Sequence, residues 1–227
     1  CYGLACPIAD RLRCDRMGKR PNPLWDQEKV YIQLASDNRG ATEAYNEKML
    51  SALTLIGGLL MLLPLLAAPF SNTKASAVPA YLLGILFYWG MFLLFRLPAM
   101  KRHTLFGLYI CFSIFFQFAI YLSTIHSPGM RATVLLAAFC IMPLGFIDRP
   151  IRMNLFAAFW LAVHTILAFP LKPIYALDDT INCLCFAILG CFLGNKMVRV
   201  RLESYEARRL LIIEKETDVL TGLYNRR

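Results

Sequence analysis

Residues 49–70 read MLSALTLIGGLLMLLPLLAAPF, and this stretch decides the fold. Its twenty-two residues include no charged side chain. At about 1.5 Å of rise per residue, a helix of this length crosses the ~30 Å hydrocarbon core of a bilayer. The sequence therefore predicts a transmembrane helix here, and it invites a search for others.

Five further apolar runs follow the first one. They cover residues 79–95, 105–124, 132–147, 155–169 and 181–198. Aromatic residues near the ends of such runs, including Tyr88 and Trp89, are typical of membrane interfaces. We predict an all-α fold in which residues 49–198 form a six-helix transmembrane bundle. The fourth and fifth runs are short for a full span, so half-inserted hairpins remain an alternative for them.

The composition agrees with a membrane protein. Of the 227 residues 58% are hydrophobic and only 17% are charged. Residues 1–48 and 195–227 hold most of the charged side chains, so the middle of the chain is largely apolar. The formal net charge of +9 suits lipid headgroups better than nucleic acid, because no basic stripe with interleaved aromatic residues is present. We therefore expect the lipid bilayer, and no nucleic acid, as a partner.

Loop charges predict the orientation of the bundle. The loops after the first, third and fifth runs have one basic residue each, namely Lys74, Arg131 and Lys172. The loops after the second and fourth runs have more, and they are Arg96, Lys101, Arg102, Arg149 and Arg152. Basic residues stay on the cytoplasmic side of a membrane. We predict a multi-pass protein of the cell membrane with six spans and both termini in the cytoplasm.

Three polar residues lie inside the apolar runs: Gln117, His164 and Asn182. They could form an intramembrane polar pocket for a small-molecule or membrane signal, or they could make ordinary hydrogen bonds between helices. The runs themselves contain almost no Asp, Glu, Lys or Arg, and this weakens the hypothesis of a transporter. A lone histidine does not predict a metal site.

Two features predict a homodimer. Gly190 and Gly194 form a GxxxG pair that would let two helices approach closely. Residues 195–217 continue without Gly or Pro and predict a signalling helix that leaves the membrane together with the sixth run. The coiled-coil spacing within it gives a short seam, interrupted by Arg209, that consists of Val198, Leu202, Tyr205 and Ile212.

Residues 1–48 predict little. We interpret them as a poorly structured cytoplasmic segment, in which 42–48 form a short helix that leads into the first run. Cys1, Cys6 and Cys14 lie here, and their spacing lacks the paired CxxC of a zinc site. We predict no metal site in the chain.

The last residues, 218–227, read DVLTGLYNRR. This segment resembles the D-x-LTGLxNRR opening of GGDEF domains, the catalytic module of diguanylate cyclases. The matching residues are Asp218, Leu220, Thr221, Gly222, Leu223, Asn225, Arg226 and Arg227. The resemblance covers less than a twentieth of the chain, and it comes after a charged helix, as in that family.

The resemblance implies a parent protein that makes cyclic di-GMP from two GTP molecules across a dimer of GGDEF domains. In that family the opening motif is a structural joint, and the metal-binding and nucleotide-binding residues come later. We therefore expect no catalytic residue and no cofactor in this chain, and Mg²⁺ with GTP in a domain that follows Arg227. This chain would be the membrane input region of that protein.

Other interpretations of the sequence remain open. The following domain could be a degenerate GGDEF receptor, or a GGDEF domain joined to a phosphodiesterase. A protein of another class, a small six-span transporter or channel, would make the terminal motif a coincidence. A receptor coupled to a histidine kinase would end in a phosphoacceptor helix in place of LTGLYNRR.

Overall fold

The computed structural model describes residues 23–216, which form helices and contain no strand. The main helices are α1 (Pro23–Asp37), α2 (Arg39–Leu66), α3 (Val78–Leu94), α4 (Thr104–Ile120), α5 (Thr133–Gly145), α6 (Pro150–Leu171) and α7 (Ala176–Glu216). A π-helical segment, Tyr121–His126, continues α4, and the 3-10 turn Ala68–Phe70 and the short helices Asn72–Ser76 and Pro98–Lys101 lie in connections. The predicted all-α class is confirmed for this part of the chain.

Four helical segments are long and apolar enough to cross a membrane. They are Arg39–Phe70, Thr104–His126, Pro150–Leu171 and Ala176–Ile213. Helices α3 and α5 are also apolar but have only 17 and 13 residues. At about 1.5 Å per residue they extend ~25 Å and ~20 Å. The second and fourth predicted runs thus form helices shorter than a full span.

The outward surface of the helices is apolar. Large side chains that are more than half exposed occur on several helices, for example Leu63 on α2, Leu83 on α3, Ile166 on α6 and Ile188 on α7. Soluble monomers rarely expose contiguous apolar patches of more than a few hundred Å². Lipid is the solvent in which such a surface is stable, so the structure indicates a membrane-associated protein.

The helices pack in two groups. Helix α2 packs mainly against α3 and also against α4, and α7 packs against α5 and α6. Small residues permit the closest approaches: a Cβ atom at Gly57 would come within 3.1 Å of the Tyr88 ring. The Tyr88 hydroxyl in turn donates to the Cys111 carbonyl at 3.1 Å, which ties α3 to α4.

The glycine pair of α7 makes one of these close approaches within the chain. A Cβ atom at Gly190 would collide with the backbone carbonyl oxygen of Phe139, and one at Gly194 would collide with Pro143. Both glycines therefore face α5 of the same chain. This corrects the expectation that Gly190 and Gly194 contact a second copy, because the face that small residues open is already filled by α5.

An aromatic core joins the two groups of helices. Phe116 on α4 is fully buried, and its ring stacks on Trp160 of α6 at 5.7 Å between centroids. The same ring meets Phe139 of α5 at 4.9 Å. Near one end of the bundle, Tyr109 meets Phe146 edge-on at 5.1 Å. Each such pair adds about 0.5–1.5 kcal/mol beyond the burial of its area.

The N-terminal segment is more ordered than the sequence predicts. Residues 23–37 form α1, and α2 begins at Arg39, ten residues before the first apolar run. The expected short helix at 42–48 is the first part of α2. The prediction of a poorly structured segment is therefore wrong for residues 23–48, because α1 buries Tyr31 and Leu34 against the core. Cys1, Cys6 and Cys14 lie outside the described residues.

Helix α7 is longer than the sixth apolar run predicts. It starts at Ala176, five residues before the run, and continues unbroken for 41 residues to Glu216. At about 1.5 Å per residue it extends ~60 Å, twice the thickness of a hydrocarbon core. The expected continuity of the sixth run with the helix that follows it is confirmed as far as Glu216.

The contact at Gly190 can be tested by adding one methyl group. Replacing Gly190 by alanine should destabilise the protein by about 1–3 kcal/mol, because the Phe139 carbonyl is backbone and cannot move aside. The matched control is Gly90→Ala on α3, where a new Cβ atom meets nothing within 4 Å. Thermal unfolding in detergent should show a lower midpoint for the first variant only. Equal midpoints would contradict the close packing of α5 and α7.

Candidate functional site

Polar contacts divide the bundle into two ends. At the near end, which holds the start of α2, Glu47 forms an ion pair with Lys101 at 2.7 Å. At the far end, His126 Nε2 lies 3.0 Å from both Ser76 Oγ and the Thr73 carbonyl oxygen. Each end contains buried polar groups, and the cluster around Lys172 and the cluster around Asn46 are the candidate sites.

The far-end cluster is centred on a buried ion pair, which we name the lysine junction (Lys172, Asp179, Ser123 and Ala132). Lys172 Nζ donates to Asp179 Oδ2 at 2.6 Å and to the Ser123 carbonyl oxygen at 3.1 Å. The other carboxylate oxygen of Asp179 accepts the Ala132 backbone N–H at 3.3 Å. The charges are thus satisfied by each other and by two backbone groups.

Because both charges of the lysine junction are buried, breaking their ion pair would cost free energy of folding. The side chains of Lys172 and Asp179 are 0% and 3% exposed. Removing two charges from water costs several kcal/mol for each ion, and their mutual attraction offsets this cost only when the geometry is good. The pair therefore contributes little net stability when it is closed, whereas losing one partner leaves a buried charge without compensation.

The lysine junction brings four elements together. Lys172 follows the last residue of α6, and Asp179 lies in the first turn of α7. Ser123 belongs to the π-helical segment, and Ala132 immediately precedes α5. π-Helical segments occur frequently at functional sites because they re-aim the backbone. Any displacement of these four elements at the far end acts directly on the start of α7.

His164 lies beside the lysine junction on the buried face of α6. It is fully buried and close enough to Asp179 and Lys172 for both charges to act on its ring. Within residues 23–216, no group hydrogen-bonds to either ring nitrogen. Buried polar groups are nearly always hydrogen-bonded. A buried imidazole without a hydrogen-bond partner therefore lowers the stability of the folded protein.

The structure does not gather the three polar residues that the sequence singles out. Gln117 lies on the exposed face of α4, Asn182 is half-buried on α7, and only His164 is in the interior. The predicted intramembrane pocket formed by these three side chains is therefore wrong. The positions of these residues in the sequence do not show which face of each helix is buried.

Sequence reasoning missed Lys172 and Asp179. The sequence places both in one outer loop, because Pro170 and Pro173 flank the lysine and suggest a turn. In the structure α6 runs on to Leu171 and α7 starts at Ala176, so the connection is short. The available clue was the acidic pair at positions 178 and 179, which is typical of the first turn of a helix.

The near-end cluster holds the connection between α5 and α6. The Asn46 side chain on α2 donates to the Ile147 carbonyl oxygen and accepts from the Ile147 N–H, both at 2.8 Å. The Tyr109 hydroxyl donates to Asp148 Oδ2 at 2.7 Å. Arg201 of α7 donates to the Leu144 carbonyl oxygen at 3.2 Å. These bonds fix α7 against the connection where it leaves the apolar part of the bundle.

The predicted coiled-coil seam is largely covered within the chain. Val198 and Leu202 are 1% and 0% exposed, and they belong to the same core as Tyr31 and Leu34 of α1. Tyr205 is half-buried against that core, while Ile212 is 56% exposed. This corrects the expectation that all four seam residues are free to contact a second copy, since the first two already pack against α1 and neighbouring helices.

The terminal motif at residues 218–227 lies outside the described residues, so the structure places none of its side chains. Within residues 23–216, no three His, Cys, Asp or Glu side chains converge in a way that could hold a metal ion. Comparison with protein-family models, curated proteins and solved structures gives no match for this chain. A function can therefore be proposed only from the residues and their geometry.

Breaking the ion pair of the lysine junction should be costly. Lys172→Met leaves the Asp179 carboxylate buried without its partner, a change that typically destabilises by about 3–5 kcal/mol. The double variant Lys172→Met with Asp179→Asn should recover most of this loss, because a neutral amide can still accept the Ala132 N–H. Thermal unfolding in detergent measures both effects. Lys74→Met, which changes an exposed lysine, is the matched control. A single variant as stable as this control would refute the buried pair.

Proposed function

We propose that this chain is the membrane input region of a diguanylate cyclase, in which α7 connects a far-end sensory site to a catalytic domain after Arg227. The observation that carries the proposal is the continuity of α7. This single helix starts at the lysine junction, packs along α5 and α6 and reaches Glu216, two residues before the segment DVLTGLYNRR.

The distribution of charge supports a six-span topology. The α2–α3, α4–α5 and α6–α7 connections carry few basic residues, and Lys172 among them is neutralised by Asp179. The near end is rich in them: Lys48, Arg96, Lys101, Arg102, Arg149, Arg152, Lys196, Arg199, Arg201, Arg208 and Arg209. By the positive-inside rule the near end faces the cytoplasm. Helices α2 to α7 are then the six spans, with both chain termini on the cytoplasmic side.

The short helices α3 and α5 fit this topology if neighbouring residues complete each span and satisfy its backbone polar groups. Helix α5, with 13 residues, is followed by the buried residues Phe146 and Ile147, and Asn46 bonds both backbone groups of Ile147. Non-helical backbone is tolerated at membrane depth when other parts of the protein satisfy its polar groups. The same argument covers the near end of α3, where the short helix Pro98–Lys101 continues the chain.

The lysine junction is the proposed site of input. It lies on the side that faces away from the cytoplasm, and it has one closed arrangement whose loss exposes a buried charge. A small-molecule or membrane signal that displaces the α6–α7 connection would therefore favour a second position of α7. Allosteric coupling requires such an element with two arrangements, and α7 extends from one site to the other.

The catalytic part of the proposal rests on residues 218–227. In the enzymes that this motif resembles, two domains face each other and each holds one GTP with Mg²⁺. The metal ions activate the attacking hydroxyl and stabilise the charge on the phosphate. A helix that sets the spacing or rotation of two such domains would control their encounter. A degenerate receptor domain, or a composite with a phosphodiesterase, would use the same input.

A second candidate, a small transporter or channel, is favoured by one observation. Charged residues buried inside a membrane bundle often mark a pathway for ions or protons, and Lys172 and Asp179 are such residues. However, both are fully bonded to each other and to the backbone of neighbouring elements. This closed arrangement fits a joint between helices better than a site that must bind and release a substrate.

Helical phase tests the proposed function. Two alanines inserted after Lys215 rotate everything downstream by about 200°, whereas seven alanines rotate it by ~700°, close to two full turns. If α7 sets the rotation of the output domains, the first insertion should change cyclic di-GMP synthesis by the full-length protein several-fold. The second should nearly restore the parent activity.

The control for this experiment is built into the insertion site. Lys215 lies beyond the hydrogen bonds that hold α7 to the rest of the bundle, so the bundle itself is unchanged by the insertions. Equal activity across the series would contradict control through helical phase. Absence of cyclic di-GMP synthesis from the parent protein would contradict the cyclase proposal itself.

A further inference from the structure

Helix α1 covers part of α7 on the near side of the bundle. Tyr31 and Leu34 of α1 are 9% and 6% exposed, and Val198 and Leu202 of α7 are 1% and 0% exposed. All four belong to one apolar cluster. Burial of these side chains stabilises α1, since an isolated helix of 15 residues is marginal in water.

A hydrogen-bonded cluster locks the end of this cover, and we name it the Glu206 clasp (Asn38, Glu206 and Arg209). Asn38 Nδ2 donates to Glu206 Oε2 at 2.9 Å. Arg209 donates to both carboxylate oxygens of Glu206, at 2.9 Å and 2.7 Å. Glu206 is only 6% exposed, so its charge depends on these two partners. The clasp joins segments that are 168 residues apart in the chain.

The clasp also sets the register between the two helices. Leu34 lies one helical turn before Asn38, and Leu202 lies one turn before Glu206. The two helices run in the same direction, because Tyr31 is near the connection between α5 and α6. There the charge of Asp148 raises the pKa of the Tyr31 phenol, although burial is the larger cause of that rise. Leu34 and Tyr31 are therefore placed level with Leu202 and Val198.

The covered face coincides with the first half of the seam that the coiled-coil spacing predicts. Val198 and Leu202 are buried by α1 together with neighbouring helices, Tyr205 is half-buried near Tyr45 of α2, and Ile212 continues the same seam beyond Arg209 with 56% of its surface exposed. The seam thus begins under α1 and ends in the open. The apolar positions of α7 therefore extend past the part that α1 covers, which indicates that the seam fits a binding partner longer than α1.

We propose that α1 is an intrachain cover that competes with α7 of a second copy of this chain for the cytoplasmic part of the seam, which consists of Leu202, Tyr205 and Ile212. With the clasp closed, α1 occupies the first half of the seam and the copies pair weakly. Opening of the clasp releases α1 and lets two α7 helices pair along the part of the seam from Leu202 to Ile212. This inference rests on the proposed function for its purpose, since paired α7 helices would hold two output domains together.

A second copy fits the seam better than another partner for two reasons. A parallel pair of α7 helices would place each seam residue opposite its own counterpart, as the two-strand coiled coil requires. Beyond the cover, Ile212 lies in the exposed apolar run 210–213, and charged residues such as Arg208 and Lys215 flank this run, a composition that suits a short paired helix outside the lipid.

Introducing a negative charge at the clasp gives a direct test. Asn38→Asp is nearly isosteric, but it places a second carboxylate at hydrogen-bond distance from Glu206, and the two charges repel. A reporter cysteine at position 212 (Ile212→Cys) detects pairing of α7 helices in native membranes through disulfide formation under mild oxidation. We expect Asn38→Asp to raise the cross-linked dimer several-fold. Adding Glu206→Gln, which restores an amide and a carboxylate at the clasp, should lower it again.

Three controls make the result specific. Ser36→Asp adds the same charge on the exposed face of α1 and should leave the dimer fraction unchanged. Leu211→Cys places an equally exposed reporter off the seam and should cross-link less than the reporter at 212. The chain without a reporter corrects for its native cysteines.

Two results would overturn the proposal: equal cross-linking of Asn38→Asp and its parent, or no decrease on adding Glu206→Gln. Because this readout involves no catalysis, it can fail while the insertion series succeeds. The converse can also occur. The cover and the cyclase proposal are therefore tested separately.

Discussion

The apolar outer surface of the helices is the constraint on which the rest of the structure depends. Residues such as Leu83 and Ile166, each more than two-thirds exposed, are stable only against lipid. In lipid no water can satisfy the backbone, so every segment at that depth must be helical or be held by other parts of the protein. This explains why the described chain is almost entirely helical and why Asn46 bonds both backbone groups of Ile147.

The same constraint concentrates the polar chemistry of the molecule at its two ends and inside its interfaces. An ion pair as deeply buried as Lys172 with Asp179 is retained only where geometry satisfies both charges, and here four elements supply that geometry. One of those elements is α7, and at the near end Asn38 donates a hydrogen bond to Glu206 of the same helix. A single continuous helix thus joins the lysine junction to the Glu206 clasp.

The sequence predicted the class of fold well and the interior poorly. Runs such as 49–70 identify membrane helices because twenty consecutive apolar residues are rare in water-soluble domains. Which face of a helix turns inward is decided by packing, so the burial of His164 and the exposure of Gln117 could not be read from spacing. The GxxxG spacing correctly predicts a close contact at Gly190, but its partner is α5 rather than a second copy. Lys172 lies in the loop that its flanking prolines predict, but its burial against Asp179 could not be read from the sequence.

The central claim is that α7 carries the chain from the outer side of the membrane to the cytoplasm, and labelling of introduced cysteines tests it most directly. Ile174→Cys lies just before α7 at a residue that is 84% exposed, and Arg208→Cys lies on its exposed near-end portion. In intact cells a membrane-impermeant maleimide should label position 174 at once and position 208 only after permeabilisation, with the parent chain correcting for native cysteines. Labelling of both positions from the same side of the membrane would contradict the account.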